Sequence, residues 1–271
     1  MKTEMKLITP SLAKDLLKKN GINRALDKHL IAEYAREMRN GLWYEYTYES
    51  IKLAEDGTLM DGQHRLTALI DANVSLTFKI DYGLDKIAFK YLDSGKRRTA
   101  GDKFHCAGIL NSRNMAAGIR RYLILKEGHI IGNFKGGGSK KISDAELLSI
   151  YESSPKLYTA AHQMGEQWYN KSGRLLRVTE FMAFHLYFRE INEDDAYTFM
   201  SKFGEGINLT EGDPIKLLRE RLTTAKMNPT MNLSGYAKTG LIIKAWNHFR
   251  KNDSIKMLRF SPALDTFPIP V

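Results

Sequence analysis

Hydrophobic positions in the first forty residues follow a helical period and are bounded by capping residues. Thr9-Pro10 opens a first helix, in which Leu12, Leu16 and Leu17 fall on one face, and Asn20-Gly21 ends it. Asp27 caps a second helix that stops at Asn40-Gly41. The sequence therefore predicts two amphipathic helices before the first strand.

The next forty residues change to strand-like patterns that are interrupted once by a helical one. Aromatic and β-branched residues predict a strand over residues 44–53, and Asp56-Gly57 is a turn signal before a short strand at 58–60. A helix over 64–72 and an alternating strand over 74–82 follow. This order of elements is typical of an α+β domain with a small mixed sheet.

Helical patterns dominate the rest of the chain after a glycine-rich stretch at residues 132–139, which we interpret as a hinge or mobile loop. Ser143-Asp144-Ala145-Glu146 has the form of a capping box, and Asp213-Pro214 opens a further helix. We expect three parts: a small α+β domain at 1–105, a basic connecting segment at 106–141, and a mainly helical domain at 142–271.

The composition indicates a globular protein with a strong positive charge. The 271 residues carry 41 Lys and Arg against 31 Asp and Glu, a formal net charge of +10. Residues 96–141 contain eleven of the cations and only two of the acids. Such clustering of positive charge favours a polyanionic partner such as DNA. One cysteine excludes an internal disulfide and a cysteine zinc cage, and no apolar run is long enough to cross a bilayer. We expect a cytoplasmic protein, in a bacterial host or a phage-infected cell, without membrane contact.

The segment Asp61-Gly62-Gln63-His64-Arg65 places a strand end, a turn and a helix start in direct succession. A helix N-terminus presents backbone N–H groups and the positive end of the helix dipole, and glycine lets a ligand approach the backbone closely. His64 and Arg65 add side chains suited to anionic oxygens. This pattern predicts a phosphate site; the alternative is an ordinary helix start that Asp61 caps, with Arg65 in solvent.

A longer pattern surrounds this box: Asn23-Arg24, the helix that ends at Asn40-Gly41, and the run from Asp56 to Ala68 that contains the box. Together they resemble the N-terminal domain of the ParB/sulfiredoxin superfamily, and more narrowly its phage and mobile-element branch with an Asp-Gly-Gln-His-Arg box. The resemblance covers about the first 105 residues. It implies a ParB-like fold that holds the phosphates of a nucleoside triphosphate, with Gly62, Gln63, His64 and Arg65 as phosphate contacts and Arg24 as a second basic contact.

The chain departs from two branches of that superfamily. Sulfiredoxins carry a catalytic cysteine in the box, where this chain has Gln63, so reduction of cysteine sulfinic acid is not expected. Chromosome-partitioning ParB proteins have a Gly-Glu-Arg-Arg box and a following helix-turn-helix domain, for which we find no clear sequence match. Centromere binding and a CTP-operated clamp are therefore not expected either.

A second basic segment, at residues 93–102, resembles one in related phage proteins, and we assign its Lys96, Arg97 and Arg98 to the same phosphate site. The alternative is a solvated basic turn. Acid–base candidates are Asp61, Asp93, Glu45 and Glu49, of which Glu45 and Glu49 share one face of the predicted strand. The expected nucleic-acid contacts are Lys103, Arg113, Arg120, Arg121, Lys135, Lys140 and Lys141.

These observations lead to two hypotheses of different classes. In the first, a ParB-like protein binds ATP or CTP, or a DNA phosphate, and carries out phosphoryl transfer or phosphodiester hydrolysis. Asp61, His64 and Arg65 would be its catalytic residues, and Asp61 would also bind Mg²⁺. In the second, a non-catalytic DNA-binding or regulatory phage protein uses the same box to grip the DNA backbone. Both leave the oligomeric state open, with a homodimer as one option.

Overall fold

A computed structural model describes residues 1–21, 23, 25–45, 49–85, 99–128, 142–228, 230 and 233–271. The contacts divide the chain into two compact units, one of Met1–Arg97 with Lys141–Ser149 and one of Arg98–Lys140 with Ile150–Val271. The glycine-rich stretch at 132–139 lies outside the described residues.

The first unit is built on a four-stranded mixed sheet with the spatial order β1-β4-β2-β3. The strands are β1 (Lys2–Ile8), β2 (Ile51–Ala54), β3 (Leu59–Asp61) and β4 (Leu76–Leu84). Strand β4 pairs antiparallel with β1 and parallel with β2, and β2 pairs antiparallel with β3. The expected α+β class with a small mixed sheet is thereby confirmed.

Three helices cover one face of this sheet: α1 (Pro10–Lys18), α2 (Lys28–Arg39) and α3 (Gln63–Ala72). Helices α1 and α2 begin at the predicted caps, since the Thr9 hydroxyl accepts the Leu12 N–H and the Asp27 carboxylate accepts two N–H groups of the first turn of α2. The buried core lies between these helices and the sheet, with Ile51, Leu66 and Ile80 fully buried.

One strand prediction is wrong and one strand was missed. Strand β2 begins at Ile51 rather than at residue 44. Trp43, beyond the end of α2, packs against Tyr34 and Phe78, and Glu45 lies in a turn. Strand β1 was not predicted. Its core-facing positions are Lys2, Glu4, Lys6 and Ile8, so charged residues occupy places where apolar alternation would mark a strand.

All helices and strands assigned to the described residues of the second unit are helices. It contains α4 (Ala100–Cys106), α5 (Ser112–Lys126), the end of α6 (Asp144–Ser153) from Ile150 onward, α7 (Pro155–Lys171), α8 (Val178–Arg189), α9 (Glu193–Glu205), α10 (Pro214–Met227) and α11 (Gly235–Arg250). Helix α8 packs against α5, α7 and α9, and Phe181, Phe184 and Phe188 are buried there. The predicted caps at Ser143 and Asp213 are present.

The two units differ in their limits from the three parts expected from the sequence. Helix α4, which the expected first domain included, belongs to the second unit, and the start of α6 belongs to the first. None of the helices in the described part of the chain combines the length and apolar character needed to cross a membrane.

Candidate functional site

The turn from β3 into α3 depends on the backbone of Gly62. Its φ of +112° is a conformation that side-chain-bearing residues rarely adopt, and a Cβ there would lie 3.1 Å from Cγ1 of Ile51. Gly62 stands at the N-cap position of α3 and has no side chain that could cap the helix. Gly62 is itself buried. The N-terminus of α3 has no side-chain cap, however, and uncapped N–H groups at the positive end of a helix dipole suit an anion.

The three side chains that follow Gly62 turn into the protein, and Gln63, His64 and Arg65 are 5%, 6% and 9% exposed. Gln63 Oε1 accepts a hydrogen bond from Asn20 Nδ2 at 3.0 Å. His64 Nε2 accepts the backbone N–H of Asp27 at 3.0 Å, which requires that this nitrogen carry no proton. Both bonds fix the segment between α1 and α2 against the start of α3.

Arg65 joins three parts of the first unit. Its guanidinium donates to the carbonyl oxygens of Glu49 at 2.6 Å and Ser50 at 2.9 Å, and to Oδ2 of Asp61 at 3.0 Å. Glu49 and Ser50 come directly before β2 and lie outside the strand pairings of the sheet. Arg65 thus holds the entry to β2 rather than lying in solvent.

A row of polar residues crosses the face of the sheet opposite the core. In the register of the sheet, Asp61 on β3 lies opposite Lys52 on β2, and Lys52 lies opposite Asp81 on β4. Asp81 in turn lies opposite Thr3 on β1. Lys52 Nζ lies 3.3 Å from Asp61 Oδ2. Burial alone would raise the pKa of the Asp81 carboxyl, but hydrogen bonds from the Ser50 and Thr3 hydroxyls hold it below its usual value.

The carboxylate of Asp61 is therefore held between two cations, Lys52 and Arg65. The alternative sequence interpretation, in which Asp61 caps α3, is wrong, because no side chain caps this helix. It also fits poorly as a magnesium ligand, because a metal ion would have to approach between two positive groups. Within the described residues no group of three or more His, Cys, Asp or Glu side chains could hold a metal ion.

The other described acid–base candidates, Glu45 and Glu49, make different contacts. Glu45 Oε2 accepts the Thr77 N–H at the start of β4, and the carbonyl of Glu49 is taken by Arg65. They do not share a strand face, because both precede β2. Asp93 and the predicted contacts Arg24, Lys96, Arg97 and Arg98 lie outside the described residues, so their predicted place at the box stays a prediction.

The predicted nucleic-acid contacts fall in the second unit where they are described. Lys103 lies on α4, and Arg113, Arg120 and Arg121 lie on α5. Arg113 is exposed, whereas Arg120 and Arg121 are half-buried, and Arg121 lies 3.9 Å from the buried carboxylate of Glu180. Lys135, Lys140 and Lys141 are not among the described residues.

The sequence did not single out the residues that support the box: Asn20, Lys52 and Asp81. Asn20 was recognised as a helix end, but nothing in its spacing indicated that its amide reaches Gln63. Lys52 and Asp81 become neighbours through a parallel strand pairing that the sequence leaves open.

Comparison of the chain with protein-family models, with curated proteins and with solved structures finds no match.

Proposed function

We propose that the first unit is a phosphate-binding domain of the ParB/sulfiredoxin type and that its ligand is a nucleoside triphosphate. The turn at Gly62 carries this proposal, because a left-handed glycine at the start of a ten-residue helix lets phosphate oxygens approach the positive end of the helix dipole. The choice of a triphosphate rests on the family resemblance of the box. ATP and CTP are the nucleotides to compare first.

In this proposal the backbone turn at Gly62 binds the phosphates. The side chains of Gln63, His64 and Arg65 hold that turn in position. Gln63 and His64 hold the neighbouring segment, and Arg65 holds the entry to β2. Binding is better supported than turnover, because Asp61 and His64, two of the catalytic candidates, are already engaged within the protein. Magnesium would reach the site bound to the triphosphate and would need no ligand from Asp61.

The test is calorimetric titration of the full chain with ATP and with CTP in the presence of Mg²⁺. Gly62→Ala should weaken binding at least roughly tenfold, because the new Cβ disturbs the turn against Ile51. Gly41→Ala is the matched control: Gly41 also has positive φ, +69°, but a Cβ there meets nothing within 4 Å. Equal affinities in the two variants, or no binding by the wild type, would refute the proposal.

The second unit supports a second candidate function, binding of DNA through α5. Helix α4 ends in a turn at Gly108, whose φ is +76°, and Ile109 is buried in that turn before α5 begins. The first turn of α5 exposes Arg113 and Asn114 beside a surface groove of about 470 Å³. A helix that presents its N-terminal turn in this way suits contact with the phosphates and base edges of a major groove.

This candidate is tested separately by fluorescence anisotropy with a DNA duplex over a series of salt concentrations. Arg113→Ala should weaken binding and lower the steepness of the salt dependence by about one counterion. Arg259→Ala, which removes an exposed arginine far along the chain, should leave both unchanged. If Arg113→Ala and Arg259→Ala behave alike, α5 is not the contact. Nucleotide binding at Gly62 is unaffected by either result.

A further inference from the structure

Strand β1 forms one edge of the sheet. It pairs with β4 along its whole length, and no other strand of the described residues pairs with it. An edge strand of seven residues presents a row of backbone N–H and C=O groups on its outer side, and such an edge can pair with another chain.

Two apolar side chains of β1 lie on the face of the sheet opposite the core. Met5 is 47% exposed and Leu7 is 57% exposed. Their neighbours on β4 are Lys79 and Thr77, so the adjacent strand offers them no apolar cover. A further strand added at the outer edge of β1 would lie directly beside Met5 and Leu7.

The charges of β1 select a second copy of the same strand in one register. If two copies pair antiparallel around a twofold axis at Met5, Glu4 lies opposite the partner's Lys6 and Lys6 opposite the partner's Glu4. Met5 then faces Met5, and Thr3 faces Leu7, which brings the apolar side chains together on one face. If the axis passes through Glu4 instead, like charges oppose each other: Glu4 meets Glu4 and Lys2 meets Lys6.

We propose that the chain forms a homodimer by antiparallel pairing of β1 with β1 around a twofold axis at Met5, so that the two four-stranded sheets become one. The contact uses the same surface of both copies, as closed twofold symmetry requires. It involves neither the Gly62 turn nor α5, and it goes beyond both proposed binding functions.

The register is tested by disulfide trapping in full-length protein with the exposed native cysteine replaced, Cys106→Ser. In that background Met5→Cys should give a disulfide-linked dimer on mild oxidation, because directly opposed residues of antiparallel strands have Cα atoms about 4.5–5.5 Å apart. Thr3→Cys is the control: residue 3 faces residue 7 of the partner, so this variant should not cross-link to itself.

The charges are tested by sedimentation velocity over a range of protein concentrations. Lys6→Glu should weaken the dimer at least roughly tenfold, since two attractive cross-strand pairs become repulsive. Glu4→Lys should do the same, although it also removes a hydrogen bond from Tyr82. The double variant Glu4→Lys/Lys6→Glu should recover the dimer. A monomer at every concentration overturns the proposal, as does a dimer that neither cross-links at residue 5 nor responds to Lys6→Glu.

Discussion

At the scale of single residues, the role of a side chain in the box depends on the direction in which it points. Arg65 has the chemistry of a phosphate ligand, but its guanidinium meets two carbonyl oxygens and a carboxylate within its own unit. A sequence cannot separate these roles, because both need a planar group with several donors. Gly62 is different, since its left-handed conformation restricts the position to glycine whichever ligand binds.

Replacing Arg65 should therefore destabilise the first unit. Arg65→Ala leaves the carbonyls of Glu49 and Ser50 without their donor, which should lower the free energy of unfolding by about 2–4 kcal/mol. Urea unfolding followed by circular dichroism measures this. Arg39→Ala is the control, because Arg39 is exposed and makes one long contact of 3.4 Å to the Asp71 carbonyl. If the two variants unfold at the same urea concentration, Arg65 is not the tie that the structure indicates.

His185, in the second unit, gives a pH dependence. Burial lowers the pKa of its imidazole to about 4, and Arg189 acts in the same direction. In the unfolded chain the pKa of His185 is near 6.5, so the unfolded state binds the proton more readily. The contribution of the neutral imidazole to stability is therefore full above pH 6.5 and is lost as the pH falls from there through 4. The loss should reach about 3 kcal/mol below pH 4.

Urea unfolding of wild type and His185→Gln at pH 7.5, 6 and 5 measures this effect. The wild type should lose stability faster than the variant as the pH falls, because glutamine does not titrate. Parallel pH profiles would show that the imidazole of His185 is not the group responsible.

At the scale of elements, helix ends were predictable and strands were less so. The caps at Thr9, Asp27 and Ser143 are local, because each side chain bonds to an N–H within three residues. Strand β1 depends on pairing with β4, whose paired residues lie 68 to 80 positions further along the chain, and the charged core-facing positions of β1 conceal it. The start of β2 depends on Trp43, which packs on Tyr34 instead of extending the strand.

One ion pair fastens the start of α6 within the first unit. Arg36 on α2 donates to both carboxylate oxygens of Glu146, at 2.5 and 2.8 Å, and both side chains are at most 15% exposed. Removal of one partner from a buried pair leaves a buried charge, so Arg36→Met should lower the free energy of unfolding by about 3 kcal/mol.

A double-mutant cycle tests this pair. Glu146→Gln keeps a side chain that can still accept the Ser143 N–H of the capping box. The double variant Arg36→Met/Glu146→Gln should be less destabilised than the sum of the two single variants, because the uncompensated charge is gone. Additive losses would mean that the two groups do not interact.

At the scale of the whole molecule, the charge and the phosphate turn lie in different units. The Gly62 turn belongs to the first unit, and the described cations of the basic segment, Lys103, Arg113, Arg120 and Arg121, belong to the second. Length, composition and pattern were enough to predict the α+β class and the helical second half. The place of Lys103 in the second unit was not predictable, because it depends on where the contacts divide the chain.

The central claim is that phosphate binds at the backbone turn that begins α3. Amide NMR of isotope-labelled, deuterated full-length protein tests it most directly, by titration with Mg²⁺-ATP and Mg²⁺-CTP. The account predicts that the backbone amide signals of Gly62 and of the first turn of α3 move most, with Gly41 unchanged as the internal reference. Binding that leaves those signals in place, or the absence of binding at millimolar nucleotide, would contradict it.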